Sequence, residues 1–266
     1  MKTEDLKGTS RTDFVHSPFR YLGNQIYALD TFLSIIPRHQ FYIEPFCGGG
    51  STFFGKAKAE ANWLNDVDRE LIETYISIRD QPEKLAASLT GEEVSEKRYN
   101  HFKSKFTPKN SFETALRWFY LNRTSRLETM SRLWEHDDKI IPIPENWSNM
   151  ILECSKKLQG VRLTHGDFED VLDKVPEGAF LFIAPPYSIH HSSVQNRAHK
   201  YPFERESHFR LANALKLLDG KVKFLVTYNE NEELRRMYSW GEHIKISNLP
   251  NKPPQKEEIV IMNYKI

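Results

Sequence analysis

Three consecutive glycines, Gly48-Gly49-Gly50, follow the short β-type run Phe41-Tyr42-Ile43 and open a predicted helix that runs through Lys58. A glycine turn between a strand and a helix lets a ligand approach the backbone, where the helix N-terminus offers free N–H groups. Asp66 ends the next β-type run and supplies a carboxylate for ribose hydroxyls. The pattern therefore fits an adenosine-containing cofactor. It does not match the dinucleotide fingerprint, which requires glycine where Phe53 stands, or a P-loop, which requires Gly-Lys-Ser/Thr.

A second segment that could do chemistry is Ala184-Pro185-Pro186-Tyr187, which follows the apolar run Phe180-Leu181-Phe182-Ile183. Taken alone, this segment indicates an extended Pro-Pro loop after a buried strand. The polar loop from Ser188 to Arg205 comes next and contains three histidines, but these lack a carboxylate or cysteine partner at ligand spacing. No metal site is predicted.

Strands alternate with helices along most of the chain, which predicts a parallel sheet and an α/β fold. Between residues 80 and 158 the pattern changes to helical stretches and an irregular stretch rich in Arg, Trp and Pro. We therefore expect an N-terminal part of the core at 1–79, an inserted, mainly helical segment at 80–158, and a C-terminal part of the core at 159–266. The predicted strands are 41–43, 61–65, 161–164, 180–183 and 222–227, followed by an antiparallel pair at 244–246 and 259–262.

Composition and charge limit the class of protein. The 266 residues are 39% hydrophobic, contain no apolar run near the roughly 18 residues of a membrane span, and begin without a secretory apolar segment. The two cysteines form no CxxC pair, so we expect a cytoplasmic protein with reduced thiols. The formal net charge is +1, yet the segment from Lys97 to Arg132 holds nine basic and two acidic residues, interleaved with aromatic ones. That segment is a candidate phosphate-binding surface, and a pair of ordinary solvated helices is the alternative.

Four segments occur in a specific order: Glu44-Pro45-Phe46-Cys47-Gly48-Gly49-Gly50, Asn65-Asp66, Tyr120-Leu121-Asn122-Arg123 and Ala184-Pro185-Pro186-Tyr187. In this combination the chain, from about Phe19 to Tyr264, resembles the Dam-type (alpha-class) N6-adenine DNA methyltransferases. The resemblance implies a class I (Rossmann-like) methyltransferase fold with a mixed sheet, an inserted target-recognition domain, S-adenosyl-L-methionine as methyl donor and DNA adenine as target.

The resemblance also implies which residues contact the methyl donor. The N-terminal motif contributes Tyr21, although its usual closing lysine is Gln25 here. Asp66 would hold the ribose, with a helix cap as its alternative role, and Asp167 has the same alternative. The full set of implied donor contacts is Tyr21, Gly23, Glu44, Pro45, Phe46, Gly48, Gly50, Ser51, Asp66, Asp167 and Phe168.

In that family the catalytic tetrapeptide begins with Asp, Asn or Ser, whose side-chain oxygen accepts a hydrogen bond from the amine to be methylated. The following proline carbonyl is the second acceptor, and the tyrosine stacks on a base flipped out of the duplex. Ala184 has no such oxygen, while Pro185, Pro186 and Tyr187 match the family. Loss of one positioned polar group costs about 10²- to 10⁴-fold in rate. Either a substitution was introduced to trap substrate or this is a naturally disabled relative, and the intact cofactor motif favours the first.

The recognition segment departs from the family after Arg123, so a GATC specificity does not carry over. The chain is predicted to be a site-specific DNA adenine N6-methyltransferase, inactive or weakly active, acting on double-stranded DNA as a monomer or weak dimer, of prokaryotic or phage origin and in a restriction–modification, phage or housekeeping setting. The alternatives are a non-catalytic DNA-binding relative and an amino-methyltransferase for RNA. A structural role is the alternative for Tyr120 and Asn122, and a phosphate contact or a salt bridge is the alternative to guanine recognition for the arginines. The candidate DNA contacts are Tyr120, Asn122, Arg123, Arg126, Arg132, His190, Lys200, Lys252 and Lys256.

Overall fold

The computed structural model describes residues 14–21, 28–125, 134, 144–187, 200–201, 203–246 and 258–266. The strands are β1 Phe41–Glu44, β2 Ala61–Asp66, β3 Arg162–His165, β4 Phe180–Ile183, β5 Lys223–Asn229, β6 Glu242–Ile246 and β7 Glu258–Met262. They form one seven-stranded sheet in the order β3-β2-β1-β4-β5-β7-β6. Strands β1 to β5 pair in parallel, and β7 is antiparallel to both β5 and β6. This mixed sheet confirms the predicted fold class.

The central strands are buried on both faces, which explains why they read as continuous apolar runs. In β4, Phe180 and Phe182 face one hydrophobic cluster, whereas Leu181 and Ile183 face the other. The two clusters are the cores on either side of the sheet, and every residue of β4 is at most 3% exposed. The sequence therefore specifies β4 as an interior strand.

Helices cover both faces of the sheet. Their bounds are α1 Leu29–Ile35, α2 Ser51–Gly55, α3 Arg69–Asp80, α4 Pro82–Thr90, α5 Glu96–Ser104, α6 Ser111–Thr124, α7 Pro144–Leu158, α8 Phe168–Leu172, α9 Arg205–Leu217 and α10 Glu232–Met237. Capping explains several of these beginnings, because Asp68, Ser95, Asn110, Asp167 and Asn231 each accept a backbone N–H from the first turn of the following helix. No helix among these ranges is long and apolar enough to cross a membrane.

Helix α2 is shorter than predicted, since it ends at Gly55 rather than at Lys58. The chain becomes extended at Lys56, and the buried ammonium of Lys157 from α7 donates to the carbonyls of Phe54 and Lys56, each at 2.7 Å. A side chain from a distant helix thus satisfies carbonyls that further helical turns would otherwise use.

The segment from 80 to 158 contains helices α4 to α7 in its described part. Leu85, Phe102, Phe119 and Trp147 from these helices lie in the same hydrophobic cluster as Phe180 of the sheet. The helices therefore share one core with the sheet face that they cover, and α3 packs directly against α6 and α7.

Candidate active site

The carboxyl ends of four parallel strands meet at one edge of the sheet, and a predicted motif follows each of them. The glycine loop follows β1, Asp66 ends β2, Asp167 lies just beyond β3, and Ala184 comes directly after β4. This edge is where open α/β sheets bind their ligands. The fold therefore brings together motifs that are far apart in the sequence.

The glycine loop requires glycine for two separate reasons. Gly48 has a φ of +44° and Gly50 a φ of +64°, both in the left-handed region. The aromatic ring of Tyr21 also covers the loop, so that a Cβ on Gly48 would lie 2.8 Å from Cε1 of Tyr21. The loop is held from below by Tyr75, whose hydroxyl donates to the Gly48 carbonyl at 2.9 Å.

Asp66 is built into this loop. Its Oδ2 accepts the Gly48 N–H at 2.9 Å, and its Oδ1 accepts the Asp68 N–H at 3.0 Å. Burial raises the pKa of Asp66 to about 6, against the effect of these two N–H donors. The cap of α3 is Asp68 and not Asp66, since the Asp68 side chain accepts from the Glu70 N–H. Each carboxylate oxygen has two acceptor sites, so each oxygen of Asp66 can accept one further hydrogen bond. These features fit the ribose of an adenosine-containing donor.

An aromatic group closes the β1 and β3 side of the site. The Phe46 ring stacks on Phe168 with centroids 5.3 Å apart and an angle of 30°. Phe203 meets both rings edge-on, at 5.3 Å and 5.8 Å. Asp167, next to Phe168, caps α8 through one carboxylate oxygen, which accepts the Glu169 N–H at 2.9 Å, and its contact with the methyl donor stays a prediction.

Glu44 lies in the interior beneath the glycine loop. It is 2% exposed, and its Oε1 accepts the Tyr42 hydroxyl at 2.6 Å. Burial raises the pKa of Glu44 to about 7, opposed by the Tyr42 hydrogen bond and by the nearby Lys56 ammonium. Burial also lowers the pKa of Lys56 to about 7. The Glu44 carboxyl group is thus hydrogen-bonded within the core, and its contact with the methyl donor stays a prediction.

The tetrapeptide Ala184-Pro185-Pro186-Tyr187 directly follows the buried strand β4. Ala184 is partly buried and packs against the first core cluster, and Pro185 is buried. The Tyr187 hydroxyl lies 3.1 Å from Thr227 Oγ1, and its ring lies 6.1 Å from the Tyr228 ring. At position 184 the side chain is a methyl group and offers no hydrogen-bond acceptor, and the catalytic role of this position stays a prediction.

The expected DNA contacts of Tyr120, Asn122 and Arg123 do not fit the structure. Tyr120 is fully buried, and its hydroxyl donates to the Glu93 carbonyl at 2.7 Å. Asn122 is 6% exposed, and its side-chain amide accepts the Arg20 N–H at 3.0 Å and donates to the Arg20 carbonyl at 2.6 Å. Arg123 is 5% exposed, with Nη1 3.5 Å from a backbone carbonyl, and burial followed by the Arg20 charge lowers its pKa to about 10. These side chains point inward because this face of α6 packs on the core and on residues 14–21.

Lys200, another expected DNA contact, pairs with two carboxylates, and its contact with DNA stays a prediction. Its ammonium lies 2.7 Å from Glu70 Oε2 and 3.2 Å from Asp68 Oδ1, beside the glycine loop. The remaining candidates Gly23, Arg126, Arg132, His190, Lys252 and Lys256 lie outside the described residues.

Phe203 and Arg210 also lie at this part of the candidate site, although the sequence did not predict them. The Arg210 guanidinium lies 5.1 Å from the Phe168 ring centroid and 3.1 Å from Asp167 Oδ1. Neither residue belongs to a motif, and the only local signal for Phe203 is an aromatic residue in a polar stretch before a helix. Within the described ranges, no cluster of three His, Cys, Asp or Glu side chains could hold a metal ion.

Comparisons with known proteins agree with this geometry. Type II methyltransferase M1.LlaDCHI of Lactococcus lactis subsp. cremoris is 26% identical over 213 residues, which cover 74% of this chain and 74% of that protein. Type II methyltransferase M.MjaIII of Methanocaldococcus jannaschii is 25% identical over 255 residues, covering 84% of this chain and 88% of that protein. The DNA N-6-adenine-methyltransferase of Escherichia phage P1 is 24% identical over 259 residues, covering 89% of this chain but 33% of that protein.

A family-wide comparison covers most of the chain. The sequence model of the D12 class N6 adenine-specific DNA methyltransferases matches residues 21–249. The matched range includes the inserted helices, and it includes the glycine loop, Asp66 and the Ala-Pro-Pro-Tyr tetrapeptide, which follow strand ends at one edge of the sheet. This chain belongs to the D12 class N6 adenine-specific DNA methyltransferase family.

Proposed function

We propose that this chain binds S-adenosylmethionine and double-stranded DNA and accepts a flipped adenine at the end of β4, with methyl transfer to the N6 amine impaired by Ala184. The observation that carries the proposal is the contrast between two neighbouring parts of the site. Asp66 and Tyr21 both contact the glycine loop, as a donor site of this family requires, whereas position 184 lacks an acceptor.

The donor would be held by residues of three strand ends. The Asp66 carboxylate, which borders the glycine loop, suits the ribose, and Asp167 with Phe168 suits the adenine. S-adenosylmethionine supplies an electrophilic methyl group when bound. Phe46 and Phe203 flank the same region, and their apolar rings would limit the access of water to the bound donor.

The chain's own residues would position the target base. The N6 amine of adenine is a poor nucleophile because its lone pair is delocalised into the ring. Two acceptors that hold its hydrogens would localise the lone pair, and only one of them, the backbone carbonyl of Pro185, remains in this chain. Tyr187 would supply the stacking surface for the flipped base, with its hydroxyl held near Thr227.

Ala184→Asp tests the proposal directly. We expect this variant to form N6-methyladenine in duplex DNA at a rate about 10²- to 10⁴-fold above the unmodified chain, measured with labelled donor and by digestion to nucleosides. Ala184→Asn should restore part of the rate. Ala184→Leu is the matched control, because it adds similar bulk without an acceptor, and it should stay inactive. An Asp variant that binds donor and DNA yet never methylates would favour a non-catalytic DNA-binding relative.

The nature of the nucleic acid needs a separate experiment. We propose duplex DNA as substrate and a monomer or weak dimer as the active form, in a restriction–modification setting like that of the type II relatives. Competition between duplex DNA, single-stranded DNA and RNA for the donor-bound protein distinguishes this from an RNA amino-methyltransferase. Tighter binding of RNA than of duplex DNA would contradict the proposal.

A further inference from the structure

Arg210, on helix α9, contacts the β3 end of the site through three groups. Its Nη2 lies 3.1 Å from Asp167 Oδ1 and 2.5 Å from Glu169 Oε2, and its Nε lies 3.0 Å from Glu169 Oε1. Its guanidinium carbon lies 5.1 Å from the centroid of the Phe168 ring. A planar guanidinium can pair with a carboxylate and stack on an aromatic ring at the same time, which an ammonium group cannot do.

The hydrogen bonds around Asp167 fall on one oxygen. Oδ1 accepts both the Glu169 N–H, at 2.9 Å, and Nη2 of Arg210, at 3.1 Å. Among the residues that the structure describes, Oδ2 has no hydrogen-bond donor, and the Asp167 side chain is 47% exposed. Two donors on one oxygen fix the rotation of the carboxylate, so that the other oxygen is presented as an acceptor in a fixed direction.

Phe168 is fixed by the same arrangement. The Arg210 guanidinium lies over its ring, and Phe46 stacks on that ring at 5.3 Å. The ring and the carboxylate are adjacent in sequence at the start of α8, so one guanidinium sets the orientation of both.

We propose that Arg210 is a positioning residue that determines the specificity of the donor site for adenine, by holding Asp167 with Oδ2 ready to accept the exocyclic amine of the donor's base. The inference rests on the proposed function, which places the donor adenine at Asp167 and Phe168. A base with an oxo group in place of the amine would bring an acceptor against Oδ2, and the two would repel each other. The orientation of Asp167 is therefore expected to appear as discrimination between adenine and hypoxanthine.

The test compares the binding of S-adenosylhomocysteine and S-inosylhomocysteine by calorimetry. The unmodified chain should bind the adenosyl compound about tenfold more tightly or better, since a site built to hydrogen-bond an amine rejects a base that lacks it. Arg210→Met should reduce this ratio to about twofold and weaken adenosyl binding by about fivefold. Arg210→Lys keeps the charge, but an ammonium group cannot pair with the carboxylates and stack on Phe168 at the same time. It should also lower the ratio, and it replaces the Met variant if that variant does not fold.

Arg205→Met is a closely matched control. Arg205 lies on the same helix and makes the same two kinds of contact, an ion pair with Glu233 at 2.5 Å and a stack on Phe209 at 4.7 Å, away from Asp167. The Arg205→Met variant should keep the full preference for S-adenosylhomocysteine over S-inosylhomocysteine. An unchanged ratio in both Arg210 variants, with both ligands weakened equally, would overturn the inference and leave the donor site standing. An unmodified chain that binds neither compound would overturn the proposed donor site and the inference together.

Discussion

Gly48→Ala tests how the glycine loop and Tyr21 depend on each other. An alanine at the φ of +44° observed for Gly48 costs about 1–2 kcal/mol. The new Cβ would also lie 2.8 Å from Cε1 and 3.0 Å from Cδ1 of Tyr21, closer than real side chains approach. Overpacking of this kind adds about 1–3 kcal/mol. The two effects together predict a loss of about 2–5 kcal/mol in the free energy of unfolding.

A second glycine separates the two effects. Gly160 has a φ of +70°, and a Cβ there would meet nothing within 4 Å, so Gly160→Ala should show the backbone cost of about 1–2 kcal/mol alone. Tyr21→Ala removes the ring that Gly48→Ala would strike. In that background, Gly48→Ala should fall to the cost of Gly160→Ala, and the coupling between the two sites should equal the overpacking of about 1–3 kcal/mol.

Urea unfolding followed by tryptophan fluorescence measures these differences, with the affinity for S-adenosylhomocysteine as a second readout. Gly48→Ala should weaken binding of this ligand, and Gly160→Ala, which lies away from the site, should leave it unchanged. If Gly48→Ala destabilises no more than Gly160→Ala, or by the same amount with and without the Tyr21 ring, then Tyr21 does not cover the loop as described.

Two further predictions concern buried charges. Lys157→Met removes the ammonium that donates to the carbonyls of Phe54 and Lys56, so it should destabilise by about 1–3 kcal/mol and lower the thermal midpoint by several degrees; an unchanged midpoint would contradict this role. Glu44→Gln tests the carboxyl group whose pKa burial raises from 4.5 to about 7. A raised pKa means that the contribution of this group to stability is complete below pH 4.5 and is lost as the pH rises to about 7. Glutamine does not ionise, so the stability of the variant relative to the unmodified chain should increase between pH 4.5 and about 7 by up to about 3 kcal/mol. Urea unfolding at several pH values measures this difference. A difference that does not change with pH would contradict the prediction.

Local sequence patterns predicted the strands and the motifs, because strands and motifs depend on residues that are close in sequence. The strands at 61–65, 180–183 and 222–227 match β2, β4 and β5 within two residues at each end. The order of motifs indicated the family, and the topology explains why they meet. Helices α1 and α10 had no prediction, since they are only seven and six residues long and show little periodicity.

Contacts between distant segments explain what the sequence did not predict. Nothing near Asn122 indicates that its amide meets the backbone of Arg20, because that contact requires residues 14–21 to lie along α6. The sequence around Lys200 likewise gives no sign of its ion pairs with Asp68 and Glu70. Arg210 is one of several arginines of α9 and α10, and only the packing of α9 near α8 places it beside Asp167. A charged side chain in a helix carries no local sign of which carboxylate it will meet.

The sheet order has a consequence for folding during synthesis. Strand β1 pairs with β2 on one side, but its partner on the other side is β4, which follows all of helices α3 to α8 in the chain. At roughly 5–20 residues per second, the ribosome takes on the order of ten seconds to make the intervening segment. During that time one edge of β1 has no strand beside it, so nascent chains have an open edge that other chains can pair with. Slower elongation between β2 and β4 would lengthen that exposure and favour aggregation over completion of the sheet.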